Sequence, residues 1–311
     1  MKVMITGGAG FIGSNLVRYL IKKYDILVYD NLTYAGNINN LSDVKNDIEF
    51  IKGDIRNQKD VSKAMKSCDS VIHLAAETHV DRSIKDPNIF IETNVVGTNV
   101  LLNVALKQSK EKFLHISTDE VYGPINIGSF EESDKFNPSS PYSASKSGGD
   151  LLVSSYHKTF DLPVIIARPS NAYGPYQYPE KLIPFFVTNI KRGKKLPVYG
   201  SGKQRRSWLY IDDLCKGLDI LFNKGVIGES YNIGSLHEEE NINVTKKILD
   251  ILELDYSNIE YVSDRLGHDF RYSINSYKIK KLGWSQEVDF DKGLKETVEW
   301  YIKNKEWWKN I

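Results

Sequence analysis

The chain is predicted to be an α/β protein, a doubly wound parallel sheet joined by a smaller α/β lobe toward its C-terminal end. Two observations predict this. Through the first half, short apolar runs alternate with amphipathic stretches, the rhythm that βαβ units write into a sequence. The first apolar run also passes directly into glycines spaced three apart, Gly7, Gly10 and Gly13, and a helical pattern follows them.

The elements follow in order. Strands are predicted at 3–5, 26–29, 48–51, 70–74, 113–117 and 164–167, with helical patterns between most of them, notably 14–22, 94–108 and 143–158. From about Asn171 the rhythm breaks into loops rich in Pro, Gly, Tyr and Lys, separated by helical stretches at 181–192, 212–223 and 244–252. The division expected is a dinucleotide-binding domain over 1–170, with late returns near 205–235, and a substrate lobe made mainly of 171–311. Within those returns, 211–221 is expected on the sheet side and 231–233 as a late added strand.

The glycine segment has a specific physical use. Glycines at 7, 10 and 13 permit a tight turn, close approach of backbone to a pyrophosphate and close helix-to-strand packing, while the helix start offers free N–H groups to phosphate oxygens. The second strand ends at Asp30, 17 residues beyond Gly13. A carboxylate there accepts from ribose hydroxyls and repels a 2′-phosphate, which favours NAD over NADP. This is the signature of a Rossmann-type sheet.

Composition narrows the classes further. At 311 residues the chain is long enough for a large core, and its 41 Lys plus Arg against 40 Asp plus Glu leave a formal charge of +1. That balance argues against a general polyanion-binding surface, so no nucleic acid is expected. Cys68 and Cys215 show neither metal-ligand spacing nor a disulfide framework, which fits a reducing cytoplasm and no metal site. No signal peptide is read before the first strand, and no apolar run is expected to reach the roughly 20 residues of a membrane span.

The chemistry is concentrated in two short segments, Ser117-Thr118-Asp119-Glu120-Val121-Tyr122-Gly123 and Tyr142-Ser143-Ala144-Ser145-Lys146. The first follows the strand at 113–117, so its hydroxyl and carboxyl groups emerge at a carboxyl end, where open α/β sheets place their ligands. Tyr142 and Lys146 are four apart and share a face if the stretch is helical. An ammonium beside a phenol favours the phenolate, so Tyr142 is expected as a base. By itself Tyr-x-x-x-Lys is as readily a buried tyrosine and a solvated lysine; its company with the Thr-Asp-Glu strand end is what points to sugar dehydration.

With these motifs the chain resembles the extended short-chain dehydrogenase/reductases, and within them the branch of nucleotide-hexose 4,6-dehydratases. Beside the glycine segment, the resemblance is carried by Leu74-Ala75-Ala76-Glu77-Thr78-His79-Val80-Asp81-Arg82-Ser83, Thr118-Asp119-Glu120, Asn171-Ala172-Tyr173-Gly174-Pro175-Tyr176-Gln177, Pro179-Glu180-Lys181-Leu182-Ile183-Pro184 and Asp264-Arg265-Leu266-Gly267-His268-Asp269. It implies NAD as cofactor, dTDP-glucose as substrate and dTDP-4-keto-6-deoxyglucose as product. In the implied scheme Tyr142 takes the C4 hydroxyl proton while hydride leaves C4 for NAD, Thr118 positions that oxygen and Lys146 holds the cofactor ribose. Glu120 then removes the C5 proton, now α to a ketone, Asp119 protonates the departing C6 hydroxyl, and the hydride returns to C6. Adjacent carboxyls in opposite protonation states require Asp119 to have a raised pKa.

The resemblance also carries binding positions. For the cofactor these are Gly7, Gly10, Phe11, Ile12, Gly13, Asp30, Asn31, Leu32, Thr33, Asp54, Ile55, Leu74, Ala75, Ala76, Thr78 and Thr93, with Tyr142 and Lys146. For the nucleotide sugar they are Thr78, Thr118, Asn171, Lys181, Leu182, Pro197, Tyr199, Arg206, Asn232, Arg265 and His268. Helices 94–108 and 143–158 are expected to pair across a two-fold axis of a homodimer, burying Val100, Leu101, Leu151 and Leu152. His79 and His157 are read as structural. Arg206-Ser207-Trp208 and Asp212-Asp213-Leu214 depart from the family pattern. They leave open UDP-glucose as substrate, or a UDP-sugar decarboxylase or 4-epimerase of the same fold.

Overall fold

A computed structural model describes residues 1–311 apart from Leu236, Arg265, Leu266 and Asn310. Its strands are β1 (Lys2–Thr6), β2 (Asp25–Asp30), β3 (Ile48–Lys52), β4 (Ser70–His73), β5 (Lys112–Ile116), β6 (Val164–Pro169), β7 (Asn171–Tyr173), β8 (Leu196–Tyr199), β9 (Arg205–Tyr210), β10 (Ser230–Ile233), β11 (Glu238–Glu240) and β12 (Ile259–Val262). Seven of them form one sheet in the order β10-β6-β5-β4-β1-β2-β3, and every neighbouring pair is parallel. The smaller sheets are β11-β9-β7 and β12-β8. This is the doubly wound α/β architecture expected from the sequence, with a smaller α/β lobe beside it.

Side chains that alternate along a strand face opposite ways, and the core divides accordingly. Val3 and Ile5 of β1 join Val28, Ile72, Leu114 and Ile165 in a cluster that takes in Leu16, Val17 and Leu20 of the helix Phe11–Leu20 and Leu214, Leu218 and Leu221 of the helix Ile211–Lys224. Met4 points the other way, with Leu27, Val71, Phe113 and Val164, onto Val61 and Met65 of Gln58–Met65, Leu101 and Val104 of Thr98–Lys107 and Val153 of Pro141–Phe160. Helices thus cover both faces of the sheet, as the apolar character of a parallel sheet requires.

Two helices that bound the site have local causes. Pro141–Phe160 begins with a reciprocal capping box between Ser140 and Ser143 and has Pro141 in its first turn, two features that fix a helix start. It extends beyond the predicted 143–158 at both ends, and it sets Tyr142 and Lys146 on successive turns of one face. The second is a continuous helical stretch made of Asn88–Ile91, a π-helical turn Glu92–Gly97 and Thr98–Lys107. By length and composition the run Asn88–Lys107 is apolar enough to cross a membrane, contrary to the sequence expectation, with a mean hydropathy of 1.4 over a window half buried inside the fold. Its apolar side chains are those of a helix packed on the sheet and on Pro141–Phe160.

Candidate active site

A cleft opens at the carboxyl ends of β1, β2, β4, β5 and β6. Its deep end is built by the turn that joins β1 to Phe11–Leu20. Gly7 sits at φ +70°, and a Cβ on it would lie 2.6 Å from the Ala75 amide nitrogen; a Cβ on Gly13 would lie 2.1 Å from the Gly7 carbonyl oxygen. Glycine is obligatory at both. The helix starts at Gly10 with no side chain capping it, so its first N–H groups face the cleft with their partial positive charge. At the end of β2, Asp30 accepts from the Ala9 amide at 2.9 Å and from the Leu32 amide at 2.8 Å, and burial pushes its pKa up. Each of its oxygens keeps acceptor capacity beyond those bonds. The cradle therefore fits a dinucleotide: bare backbone for a diphosphate, and an acid for ribose hydroxyls.

Of the expected cofactor positions, Gly7, Gly10, Phe11, Ile12, Gly13, Asp30, Asn31, Thr33, Asp54, Ile55, Leu74, Ala75, Ala76, Thr78 and Thr93 all line the cleft. Leu32 stands just outside it, in a left-handed backbone conformation with φ +53°. Asp54 accepts from the Asn31 carboxamide at 3.2 Å and from the Arg56 guanidinium at 2.7 Å, and Arg56 holds its pKa below the usual range.

The five expected catalytic residues also meet in this cleft. Thr118 lies two residues past β5 and caps the 3₁₀ turn Asp119–Tyr122, its hydroxyl accepting from the Glu120 amide at 3.3 Å. Asp119 is buried; burial first, and the Glu120 charge second, raise its pKa to about 7. Its Oδ2 has no hydrogen-bond partner among the described residues, and the same holds for Glu77 Oε2, Ser117 Oγ, Ser170 Oγ and Asn171 Oδ1. All five belong to cleft-lining residues. Buried polar atoms are nearly always paired, so this concentration of orphans marks the place of a polar ligand.

Tyr142 and Lys146 stand on one helix face at the cleft. The Lys146 ammonium donates to the Ile116 carbonyl at 2.7 Å and burial lowers its pKa to about 8. Burial and then the Glu120 charge push the Tyr142 phenol well up, opposed by its hydrogen bond with Thr118.

The substrate positions separate into groups. Thr78, Thr118, Asn171 and Lys181 line the cleft, with the Lys181 ammonium donating to the Thr78 carbonyl at 2.9 Å. Leu182 begins the helix Leu182–Lys191 beside them. Pro197 and Tyr199 lie on β8, and His268 stands edge-on to Tyr199 with its Nδ1 2.6 Å from Asp264 Oδ1. Arg206 on β9 lies over the Tyr272 ring at 4.7 Å and donates to the Asp269 carbonyl at 2.9 Å, and its charge reaches Asp119. Arg265 falls outside the described residues. Asn232 is fully buried on β10, with its carboxamide accepting from the Tyr122 hydroxyl at 2.9 Å and donating to the Phe130 carbonyl. The parallel pairing of β10 with β6 turns it inward, where it braces the turn that carries Asp119 and Glu120.

Two cleft residues were missed by the sequence reading. Tyr34 and Glu180 line it, with the Tyr34 hydroxyl donating to Glu180 at 3.0 Å across a separation of 146 residues. Glu77, within the expected cofactor stretch 74–78, lines it as well. His79 caps Val80–Lys85 and His157 bonds the Leu162 carbonyl oxygen, the structural roles assigned to them.

With that geometry in hand, the comparisons with known proteins are specific. A family model described as GDP-mannose 4,6 dehydratase matches residues 4–297. The chain is 48% identical over 310 residues to the low-salt glycan biosynthesis protein Agl12 of Haloferax volcanii, covering 98% of this chain and 100% of that one. It is 45% identical to a dTDP-glucose 4,6-dehydratase of Escherichia coli, over 100% of this chain and 96% of that one. Among solved structures, DesIV, a dTDP-glucose 4,6-dehydratase from Streptomyces venezuelae crystallised with NAD, superposes with a TM-score of 0.98 at 46% identity, covering 100% of this chain and 99% of that one. The chain belongs to the extended short-chain dehydrogenase/reductase family, in its nucleotide-sugar 4,6-dehydratase branch.

Proposed function

We propose that the chain is an NAD-dependent lyase that converts dTDP-glucose to dTDP-4-keto-6-deoxyglucose and water. The observation that carries this reading is Asp119, a buried carboxyl whose Oδ2 has no partner among the described residues and whose pKa burial raises to about 7, beside Glu120 in the cleft that Thr118 and Tyr142 also line. An acid that is protonated near neutrality beside a second carboxylate is what a syn- or anti-elimination of water needs, and a plain oxidoreductase or epimerase has no use for it. Relatives that share nearly the whole chain and carry the name dTDP-glucose 4,6-dehydratase support the choice.

NAD, when bound, supplies a reversible store for the hydrogen taken from C4, so turnover consumes none. The backbone of residues 7–13 and the start of Phe11–Leu20 would hold its diphosphate and Asp30 a ribose, while Asn31, Thr33, Asp54, Ile55, Leu74, Ala75, Ala76 and Thr93 form the surrounding wall. Thr118 orients the C4 oxygen and Tyr142 accepts its proton, with Lys146 fixing the ribose nearby. Glu120 takes the C5 proton once C4 is a ketone. Asp119 gives its proton to the C6 hydroxyl, and the C–O bond breaks with water as the leaving group. Lys181 and Asn171 take the nearer part of the nucleotide diphosphate, and Arg206, Tyr199 and His268 of the smaller sheets take the farther part. Residues 1–170, with the late strand β10, thus serve mainly the cofactor, and 171–311 mainly the nucleotide sugar.

The assembly we infer is a homodimer in a reducing cytoplasm. Ile91, Val96 and Leu151 are half exposed or more on the two adjoining helices, an apolar face suited to a two-fold contact. Leu101 is already fully buried within one protomer, so Leu151 with Val96 and Ile91 replaces it in that contact. Two free buried cysteines suit the compartment. Mass spectrometry of products from dTDP-glucose and UDP-glucose tests the function: loss of water from the former is expected, whereas C4 epimerisation or release of carbon dioxide overturns it, and turnover of UDP-glucose alone reassigns the base.

A further inference from the structure

The catalytic helix carries a buried carboxylate that the scheme above leaves unused. Asp150 follows Lys146 by one turn in Pro141–Phe160, so the two side chains share a face. Both are buried, at 1% and 5% exposure. Across the helix-to-sheet interface, Arg168 of β6 donates Nε and Nη2 to the two Asp150 oxygens at 2.9 and 3.0 Å. Arg168 is itself anchored by the Tyr122 hydroxyl at 2.6 Å and the Glu132 carbonyl at 3.1 Å. An ion pair this deep gives little net stability, because desolvating both charges offsets their attraction. Its placement one turn from Lys146 points to another use.

We propose that Asp150 is a positioning residue for the reaction: its carboxylate, held in place by Arg168, keeps the Lys146 ammonium charged at the floor of the cleft. The proposal rests on the dehydratase reading only for what that charge accomplishes. Lys146 needs such a partner because its one strong contact, the Ile116 carbonyl, is neutral, and burial works against its charge. The other groups around it do not supply one. His73 on β4 and His115 on β5 are wholly buried and held neutral, His73 at about 3 and His115 well below its ordinary value, by burial first and then by the charge of Lys146 itself. Their rings lie 5.1 Å apart. Asp119 shares the cleft but gives up its proton only near pH 7. Glu120 raises the pKa values of Asp119 and Tyr142 but does not figure among the influences on Lys146. Arg168 reaches His115 from the neighbouring strand but does not figure among the influences on Lys146. Asp150 is the one that favours the ammonium.

The variant Asp150→Asn keeps the shape and removes the charge. Because it strands the Arg168 guanidinium in the interior, the double variant Asp150→Asn, Arg168→Met is measured beside it, with both charges gone. The first readout is independent of activity: a pH titration of the Lys146 Cε resonance in the purified protein labelled with ¹³C-lysine, assigned by its loss in Lys146→Met. Both variants should titrate about one pH unit or more below wild type. The second readout is the alkaline limb of kcat against pH with dTDP-glucose, which should move down by the same amount while the KM for the sugar nucleotide stays within about twofold. A folded double variant in which Lys146 titrates where it does in wild type overturns the proposal and leaves the pair a packing feature. If the NMR shift is found but no dehydration is seen in wild type, the electrostatic role stands and the dehydratase reading falls.

Discussion

Replacing Asp119 with asparagine should make the protein more stable and the enzyme worse, and the stability change should depend on pH in a defined way. Burial and Glu120 raise this carboxyl from 3.8 to about 7 in the folded chain. Between those values the folded state binds a proton that the unfolded state has lost, so wild-type stability falls as pH rises through this window and levels off above it. A shift of about three units, at about 1.4 kcal/mol per unit, amounts to roughly 4 kcal/mol. Asparagine cannot ionise and avoids that cost. The advantage of Asp119→Asn over wild type should therefore be near zero at about pH 4, grow with pH, and reach its full size just above neutrality.

Urea unfolding of both proteins across this range measures the difference directly, and linear extrapolation keeps the comparison on one scale. The same variant should slow loss of the C6 hydroxyl by about 10²-fold or more, the usual weight of general acid catalysis, and a substrate with a better leaving group at C6 should recover much of the rate. A stability difference that stays flat from about pH 4 to about pH 8 would refute the raised carboxyl, whatever the kinetics show.

Other perturbations separate the remaining roles. Glu120→Gln should still oxidise C4 but not abstract the C5 proton, so reduced nicotinamide absorbance should rise on mixing with substrate and persist; solvent deuterium entering C5 in this variant would assign the base to another group. Tyr142→Phe should block the first step and show neither that absorbance nor product. Gly13→Ala places a methyl 2.1 Å from the Gly7 carbonyl oxygen and should yield protein purified without dinucleotide, read by denaturation and chromatography of the supernatant. Leu151→Glu puts a charge on the exposed face of Pro141–Phe160 and should shift light scattering from dimer to monomer at micromolar concentration, with the monomer fold intact by circular dichroism.

What could be read from the sequence follows from how locally each feature is determined. The β1 turn was legible because its glycines answer to backbone geometry within a few residues: Gly7 needs its positive φ, and Gly13 abuts Gly7 itself. Tyr142 and Lys146 were legible because a four-residue spacing shares a face within one helix. The burial of Asn232 was not legible because the side a strand residue faces depends on its partners; β10 is an edge strand whose position beside β6 comes from a segment some 60 residues earlier in the chain. The same holds for Tyr34 and Glu180, whose contact joins the loop after β2 to the segment after β7. Spacing shows that Lys146 and Tyr142 share a face, but only the folded structure shows how completely both are desolvated.

That desolvation is also what unifies the chemistry. Burial penalises whichever form of a group is charged, so it moves an acid up and a base down. Asp119 starts from 3.8 and arrives at about 7, and Lys146 starts from 10.5 and arrives at about 8. Two groups that begin more than six units apart are thus brought within about one unit of each other by the same dry pocket, at and just above neutrality. A proton donor for the C6 hydroxyl and a cation beside the ribose can then coexist at one pH, but only up to an alkaline edge, where Asp119 and then Lys146 give up their protons. The neighbouring charges set the position of that edge, Glu120 by raising Asp119 and Asp150 by supporting Lys146. The dependence of kcat on pH should therefore have an alkaline limb steeper than a single ionisation gives. Separate substitutions should unmix it, Asp119→Asn removing one ionisation from that limb and Asp150→Asn moving the other toward lower pH. A limb that keeps the slope and midpoint of wild type in both variants would show that neither group governs it.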